Sequence, residues 1–367
     1  MVQITWFVSC EGDFVSCFHP LKRFPIGTRP NKKGEIVTYA KVTSYDVNYI
    51  WYSEATRSWH AGYDSSPPAS AFTEFQEIPC GKCVGCGMTV SRQWADRCML
   101  ELEYHDSAYF VTLTYDEEHA PRGMYVDEVT GEVLPSLSLK KDDFQRFMKR
   151  LRFAVQPVQL RFFAAGEYGG ITFRPHYHAV IFGLKLNDLM LYSRSADGKF
   201  VYYTSELMNK AWSEHGELLG RVVVAPVTWE TCAYVARYTL KKLKGPEARF
   251  YENFGLQKPF SLMSRKPGIA HQWYVDHPDL YDYDYINLKL PSGGRKLRPP
   301  RYYDKLYDID YPLKSQALKE TRKAISEAAR AAKLSRTSLP FLQMLEVEEA
   351  AMLAKVKKMR RTLHEDS

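Results

Sequence analysis

Several short stretches in the middle of the chain predict β-strands, because they are rich in β-branched and aromatic residues and are bounded by turn signals. These stretches are AYFVTLTY (108–115), QLRFFAAGEYG (159–169), HYHAVIFG (176–183) and RVVVAPV (221–227). KKDDFQRFMKRLRFAV (140–155) instead repeats apolar residues at helical spacing. Thr228 is a typical N-cap for a second helix through CAYVARYTLKKL (232–243). Because short loops favour antiparallel pairing, we predict a compact α+β fold from about 106 to 245.

The segments on either side of this core differ from it in pattern. The first 75 residues combine short β-like pieces with turn signals, and SRQWADRCMLELEYHD (91–106) predicts an amphipathic helix that begins near Thr89. The chain ends in a helical tail rich in Ala, Lys and Arg. The pattern therefore predicts four regions, at residues 1–105, 106–245, 246–312 and 313–367.

Composition and charge narrow the class of protein. The 367 residues are 45% hydrophobic and 25% charged, and they contain no run of about 18 apolar residues, so we expect no membrane span. The start of the chain does not resemble a signal peptide. The formal net charge is +7, and residues 313–367 hold 12 Lys/Arg against 7 Asp/Glu. This basic tail is either a solvated helical face or an arm that contacts phosphates.

Two histidines and a glutamate form a candidate metal site. His176 and His178 lie on one face of a predicted strand, because side chains alternate along a strand. A hairpin can bring Glu167, on the preceding strand, beside them. Two imidazoles and one carboxylate leave positions open for a substrate oxygen on a weakly held Mn²⁺ or Mg²⁺. Alternatively, Asp116 is the third ligand, the ion is a non-haem iron, or the histidines are ordinary polar residues.

The cysteines indicate a second metal site. There are seven, at positions 10, 17, 80, 83, 86, 98 and 232. Cys80, Cys83 and Cys86 form C-x₂-C-x₂-C, and a closed zinc site needs four ligands. We predict Cys17 as the fourth ligand of a structural Zn²⁺, with Cys98 and Cys10 as alternatives. An iron–sulfur cluster or free thiols are the competing interpretations, and Cys232 is interpreted as a buried apolar residue.

Paired tyrosines are the candidate nucleophiles. Tyr234 and Tyr238 are four residues apart and therefore share a helix face, with Lys241 and Lys242 within about one turn. A tyrosine hydroxyl attacks phosphorus when a metal ion polarises the phosphate and a cation stabilises the phenolate. The alternative is that both tyrosines are core residues with tethered hydroxyls.

Several motifs together resemble a known family. FVTLTYDEEH (110–119), GEYG…RPHYHAVIFG (166–183) and AYVARYTLKK (233–242) follow the order and spacing of the three rolling-circle replication motifs, and the second resembles the histidine–hydrophobic–histidine signature of HUH endonucleases. The chain further resembles the replication initiators of gokushovirus-type Microviridae. That likeness rests on SCFHPLK (16–22), PCGKCVGC (79–86), SRQWADRC (91–98), MSRKPGI (263–269) and KLRPPRYYDKLY (296–307).

The resemblance implies an HUH-type nuclease core with a central antiparallel sheet flanked by helices, a zinc-stapled N-terminal segment and a helical C-terminal tail. It implies that a tyrosine nicks single-stranded or melted origin DNA, leaving a 5′-phosphotyrosyl link and a free 3′-OH. A second transesterification then rejoins the strand. The implied partners are origin DNA and a host helicase and polymerase, with no membrane, in the host bacterial cytoplasm.

Two basic segments are candidate DNA contacts outside this core. Single-strand binding needs cations beside aromatic faces, and both segments combine the two. Their cations are Arg265, Lys266, Arg295, Lys296, Arg298 and Arg301. The alternative is that these segments pack across the domain. The competing function for the whole chain is a non-catalytic, zinc-stapled DNA-binding or packaging protein.

Overall fold

The computed structural model describes residues 17–31, 34, 36–169, 172–195, 198, 200–241, 248–290 and 293–358, with side chains omitted at 237–241, 289–290 and 357–358. These residues form two compact units. One comprises the described residues up to Thr89 together with those from Glu327 onward, and the other comprises Val90–Ser326. The domain boundaries given above stay predictions.

The unit that contains the N-terminal segment is built on small antiparallel sheets. Its strands are β1 (Leu21–Pro30), β2 (Ile36–Ser44), β3 (Tyr49–Ser53), β4 (Ser58–Gly62) and β5 (Gln76–Ile78). β1 lies between β2 and β5, and β3 pairs with β4. Phe24, Val47 and Ile50 form a small buried core beneath them.

Helix α1 spans Val84–Leu102 and therefore begins about one turn earlier than the predicted start near Thr89. The first turn of a helix has backbone N–H groups without partners in the helix. Here the sulfur of Cys83 accepts a hydrogen bond from the N–H of Cys86, at 3.4 Å. A cysteine in the cap position starts the helix earlier than its amphipathic pattern indicates.

A seven-stranded antiparallel sheet is the centre of the second unit, which confirms the α+β class. Its order is β11-β12-β15-β6-β10-β9-β16. The elements are β6 (Ala108–Thr114), β7 (Arg122–Val126), β8 (Val133–Leu137), α2 (Lys141–Ala154), β9 (Arg161–Tyr168), β10 (Pro175–Phe182), β11 (Met190–Arg194), β12 (Val201–Thr204), α3 (Glu206–Ala211), β13 (Ser213–Glu214), β14 (Glu217–Leu218), β15 (Val222–Pro226), α4 (Trp229–Lys241), α5 (Arg249–Asn253), β16 (Phe260–Met263), α6 (His271–Asp276), β17 (Ile286–Leu290), β18 (Gly293–Leu297), α7 (Arg301–Asp310) and α8 (Pro312–Leu334).

Helices cover both faces of this sheet. On one face Val180 and Phe182 of β10 pack with residues of α1, α4 and α7. On the other face Tyr177 and Ile181 pack with the apolar side of α2. The strand alternation predicted from the sequence therefore separates two hydrophobic cores, and it puts His176 and His178 on the α4 side.

The helical tail falls into two helices. α8 ends at Leu334 and α9 spans Phe341–Lys358. Arg330 forms an ion pair with Glu77, and Lys333 pairs with Glu348 at 2.9 Å. The tail is thus helical as expected, and its last part packs within the unit that contains the N-terminal segment.

Candidate functional site

Strand register brings the predicted metal ligands together. β10 runs antiparallel to β9, and His176 is directly opposite Glu167. Glu167 Oε1 lies 2.8 Å from His176 Nε2 and 3.3 Å from His178 Nε2. One donor atom from each residue lies within 4.8 Å of the others, which is close enough to hold one metal ion. The hairpin expected from the sequence therefore assembles this triad.

The charge of the triad is set by burial and by the facing imidazoles. The Glu167 side chain is only 2% exposed. Burial raises the pKa of this carboxyl, but hydrogen bonds from His176 and His178 more than offset that effect and lower the pKa to about 2. The carboxylate is therefore ionised at any pH at which the protein works.

Hydrogen bonds at the far side of each ring aim Nε2 at the glutamate. His176 Nδ1 lies 3.1 Å from the carbonyl of Arg174, and a carbonyl only accepts, so Nδ1 carries the proton. His178 Nδ1 contacts the Thr112 hydroxyl at 3.0 Å. A neutral His176 would then point the lone pair of Nε2 at a carboxylate 2.8 Å away. A positive charge must lie between them, either as a proton or as a metal ion, so the donor set fits a divalent cation.

The alternative third ligand lies outside this group. Asp116 is exposed and accepts hydrogen bonds from His119, at 2.9 Å from the backbone N–H and 2.8 Å from Nδ1. Among the described residues, the group that includes the two strand histidines contains Glu167 and not Asp116.

Helix α4 carries the first candidate nucleophile to the triad. Thr228 caps this helix as predicted, since its hydroxyl accepts from the N–H of Thr231 at 3.2 Å. The helix packs on β9 and β10. The Tyr234 ring meets the His178 ring edge-on, with centroids 5.1 Å apart, and also contacts Phe110. Tyr234 is buried, at 5% exposure.

The remaining predicted catalytic groups lie at the edge of the description. The backbone of Tyr238 and Lys241 belongs to α4, but their side chains lie outside the described residues, and so does all of Lys242. An α-helix rises 1.5 Å per residue, so Tyr238 follows about 6 Å along the helix axis from Tyr234.

Helix α1 anchors the start of α4, a feature that the sequence analysis missed. The Ser91 hydroxyl donates to the carbonyl of Ala233 at 2.9 Å, and the indole N–H of Trp229 donates to Asp96 at 2.8 Å. The Arg295 guanidinium covers the Trp229 ring at 3.8 Å. Burial raises the pKa of Asp96 to about 6, despite the Trp229 hydrogen bond and the nearby Arg295. A buried Asp in an amphipathic helix is the one signal in the sequence that could have revealed this contact.

The cysteine cluster assembles with the predicted fourth ligand. One sulfur each from Cys17, Cys80, Cys83 and Cys86 lies within 4.8 Å of the others, a set that can hold one metal ion. Cys98 instead lies in the core beside Cys232, and Cys10 lies outside the described residues. Cys232 is fully buried, as expected.

Backbone N–H groups point at these sulfurs. The N–H of Cys80 donates to Cys17 Sγ at 3.1 Å, and the N–H groups of Lys82 and Cys83 donate to Cys80 Sγ at 3.4 and 3.3 Å. The N–H of Phe18 donates to Cys83 Sγ at 3.4 Å. Hydrogen bonds to a sulfur stabilise its thiolate, which is the form that binds a metal. The donor set of four sulfurs therefore fits a closed tetrahedral zinc site.

The predicted DNA-contact cations differ in exposure. Arg295 is half-buried over Trp229, whereas five others are exposed. The exposed ones are Arg265, Lys266, Lys296, Arg298 and Arg301. Lys296 and Arg298 both lie near the Tyr285 ring, at 5.9 and 5.8 Å.

Comparison with known proteins identifies the family. The family model for replication-associated protein ORF2 matches residues 108–243, which contain the triad and α4. Replication-associated protein VP4 of Bdellovibrio phage phiMH2K is 31% identical over 245 residues, 65% of this chain and 69% of the relative. The chain belongs to the family of phage replication-associated proteins.

Other members of the family are similar over comparable lengths. Replication-associated protein ORF2 of Spiroplasma virus 4 is 26% identical over 302 residues, covering 81% of this chain and 82% of the relative. Replication-associated protein ORF4 of Chlamydia phage 1 is 30% identical over 237 residues, or 62% of this chain and 53% of the relative. No solved structure is significantly similar to this family member. Within its described part, no helix is long and apolar enough to cross a membrane.

Proposed function

We propose that this replication-associated protein initiates rolling-circle replication by nicking single-stranded or melted origin DNA through a metal-dependent tyrosine transesterification. The observation that carries the proposal is the juxtaposition of Glu167, His176 and His178 with the ring of Tyr234 on one face of the sheet. Such a core corresponds to the HUH-type nuclease fold expected from the sequence. Membership of the family supports a role in replication.

The triad would hold Mg²⁺ or Mn²⁺ through Glu167 Oε1 and the two Nε2 atoms. A divalent ion bound there supplies Lewis-acid polarisation of a phosphate oxygen. The protein's own residues prepare this site, because Arg174 and Thr112 fix the orientation of the rings and the ionised Glu167 supplies negative charge. Burial of the triad on the sheet excludes water from one side of the reacting phosphate.

The tyrosines would supply the nucleophile. The Tyr oxygen loses its proton and attacks phosphorus, a new bond from phosphorus to the tyrosine oxygen forms, and the bond from phosphorus to the 3′ oxygen breaks. The leaving 3′ oxygen takes up a proton and becomes the primer for a host polymerase. Because one phosphate ester replaces another, a later attack by a 3′-OH rejoins the strand without ATP. Lys241 and Lys242 would stabilise the phenolate.

The course of α4 supports a role for both tyrosines. β15 ends at Pro226, opposite Tyr109 at one end of β6, and α4 then begins and reaches His178 at Tyr234. On β6, Tyr109 and then Thr112 are followed by Thr114, opposite His176. The helix therefore runs towards the His176 end of the sheet, and the backbone of Tyr238 lies further along in that direction. Two tyrosines one turn apart allow one to stay linked to DNA while the other cleaves.

Zinc at the cysteine cluster would have a structural role. The four sulfurs, together with Phe18, Val84 and Met352, form a small buried cluster. Their spacing leaves no open ligand position for a substrate. The exposed cations near Tyr285 would contact DNA phosphates, and a host helicase would act as a further partner within the host cell.

A nicking assay tests the catalytic proposal. Circular single-stranded DNA carrying the cognate phage origin is incubated with the protein and Mn²⁺, and the products are separated under denaturing conditions. We expect cleavage with a covalent 5′ adduct. The adduct should disappear in the double variant Tyr234→Phe/Tyr238→Phe, and each single variant should show whether either tyrosine can attack alone. Tyr285→Phe, outside the site, is the matched control.

The alternative is a non-catalytic DNA-binding or packaging protein. It predicts origin binding with no adduct at any Mn²⁺ or Mg²⁺ concentration, in protein whose circular dichroism spectrum shows it to be folded. That result would contradict the catalytic proposal, as would an adduct that survives the double Tyr→Phe substitution.

A further inference from the structure

The unit that contains the N-terminal segment carries a row of alternating cations and aromatic rings on one face of its sheets. The row consists of Arg29, Tyr39, Lys41, Trp59 and Tyr52. Side chains two residues apart on a strand share a face, so Tyr39 and Lys41 of β2 are neighbours about 7 Å apart. We call these five residues the β2 row.

Each cation in the row lies over an aromatic ring. The Arg29 guanidinium is 5.3 Å from the centroid of Tyr39, and Lys41 Nζ is 5.5 Å from the centroid of Trp59. The row continues from Trp59 to Tyr52 across the β3–β4 hairpin, with ring centroids 5.6 Å apart. Tyr52 and Trp59 are directly opposite each other in that hairpin.

The β2 row is accessible to a partner. Tyr39 and Tyr52 are each 39% exposed, and Arg29 and Lys41 are also exposed. Aromatic rings of this size are usually buried, because covering them with protein removes a large apolar area from water. Exposed rings at regular spacing beside cations are an arrangement that a solvent-facing strand does not need for its own stability.

The backbone is shaped to hold the first ring in place. Gly27 pairs with Tyr39 beside a bulge in β1. A Cβ atom at Gly27 would lie only 2.9 Å from atoms of the Tyr39 ring. The ring therefore lies against the bare backbone of a glycine, which fixes its orientation and leaves its other side to the Arg29 guanidinium.

We propose that the β2 row is a binding surface for single-stranded DNA, separate from the triad. Bases stack on aromatic rings and on guanidinium planes, and cations beside those rings neutralise the backbone phosphates. The row contains two cations and no carboxylate, so its charge complements a polyanion and not an acidic-rimmed protein surface. The choice of DNA as the nucleic acid rests on the proposed function, whereas the surface itself does not depend on the nicking chemistry.

Equilibrium binding to a labelled oligothymidylate of about 16 nucleotides tests the proposal, because this DNA carries no origin and needs no cleavage. The full chain is used at several salt concentrations. Tyr39→Ala should weaken binding about 10-fold with little change in salt dependence. Arg29→Ala/Lys41→Ala should reduce the slope of log affinity against log salt by about 1.4, since each lost phosphate contact is worth about 0.7.

Two variants serve as controls. Tyr39→Phe keeps the ring and should bind as the wild type does. Val42→Ala changes an exposed residue on the other face of β2 and should also leave binding unchanged. In addition, photocrosslinking of an oligonucleotide that contains iodouracil should label peptides within Ile36–Ser44 or Ser58–Gly62, a result that does not depend on the folding of any variant.

The proposal and the nicking chemistry can fail separately. If origin nicking is absent but oligothymidylate binding still depends on Tyr39, the surface stands and the catalytic proposal fails. Wild-type binding by both Tyr39→Ala and the double cation variant would overturn the surface. It would also be overturned if these variants changed the mass of the protein in solution without changing DNA affinity, because the row would then pair two copies of the chain.

Discussion

The two candidate metal sites of this protein are assembled in opposite ways. Three of the four sulfurs come from one seven-residue stretch, and backbone N–H groups of the same stretch point at them. Glu167, His176 and His178 come instead from two strands, and their meeting depends on the pairing of β9 with β10. The first site is fixed by local spacing, and the second by the register of a sheet with a packed core on each side.

The difference in donors matches a difference in roles. Four sulfurs fill a tetrahedral shell, so the ion they bind holds chain segments together. Two imidazoles and a carboxylate leave positions for a substrate, and a second element, α4, brings a tyrosine beside them. A structural site can therefore be confined to a short stretch of chain, whereas a reactive site needs groups from several elements on a rigid support.

The largest effect should come from breaking the local site. Cys83→Ser removes one sulfur and two of the N–H···S contacts, and zinc binding in small cysteine sites is worth about 10 kcal/mol. We expect loss of the bound zinc, measured by metal analysis, and loss of hydrogen-exchange protection in residues 17–89. Residues 108–182 should keep their protection.

Cys232→Ala is the control for this substitution, because that cysteine is buried away from the cluster. It should keep its full content of zinc. Equal loss of protection in both units of Cys83→Ser would contradict the view that the cluster stabilises only its own surroundings.

Breaking the long-range site should abolish chemistry and spare the fold. His178→Ala removes a ligand while the sheet keeps both of its cores, so we expect origin nicking to fall about 1000-fold with an unchanged thermal midpoint. The measurement is the initial rate of adduct formation at saturating Mn²⁺. His119→Ala is the control, and an equal loss there would shift the site towards Asp116, which contacts His119 at 2.8 Å.

The sequence allowed different features of the molecule to be predicted for different physical reasons. The spacing of Cys80, Cys83 and Cys86 is local, and the histidine alternation follows from strand geometry, so both clusters could be recognised. The contacts from Ser91 to Ala233 and from Asp96 to Trp229 join residues more than 130 positions apart. No local pattern encodes such pairs. The early start of α1 was missed because a cysteine is an unusual cap.

Two buried carboxylates make the comparison sharper. Glu167 faces two imidazoles and has its pKa lowered to about 2, whereas burial raises the pKa of Asp96 from 3.8 to about 6. The folded protein therefore binds the Asp96 proton more tightly than the unfolded chain. That contribution to stability is present below pH 4 and is lost as the pH rises through about 6.

Asp96→Asn should remove this pH dependence. Relative to the wild type, the variant should gain up to about 3 kcal/mol in free energy of unfolding between pH 4 and pH 7. Urea unfolding of both proteins across this range measures the difference. A constant difference would show that the Asp96 carboxyl is not protonated preferentially in the folded state, and that the contact with Trp229 is an ordinary surface-like hydrogen bond.

The smallest effect should come from the group behind the histidine. Thr112→Val keeps the shape of the side chain but removes the hydroxyl that contacts His178 Nδ1 at 3.0 Å. Loss of a contact that orients a ligand typically weakens metal binding by 10–100-fold. We expect the Mn²⁺ concentration for half-maximal nicking to rise about 10-fold, with near wild-type rates at saturation. Thr114→Val is the matched control, because Thr114 lies opposite His176 on the same strand and its hydroxyl donates to the Arg221 carbonyl. If both variants shift the Mn²⁺ midpoint equally, the strand as a whole, and not the ring contact, sets the affinity of the site.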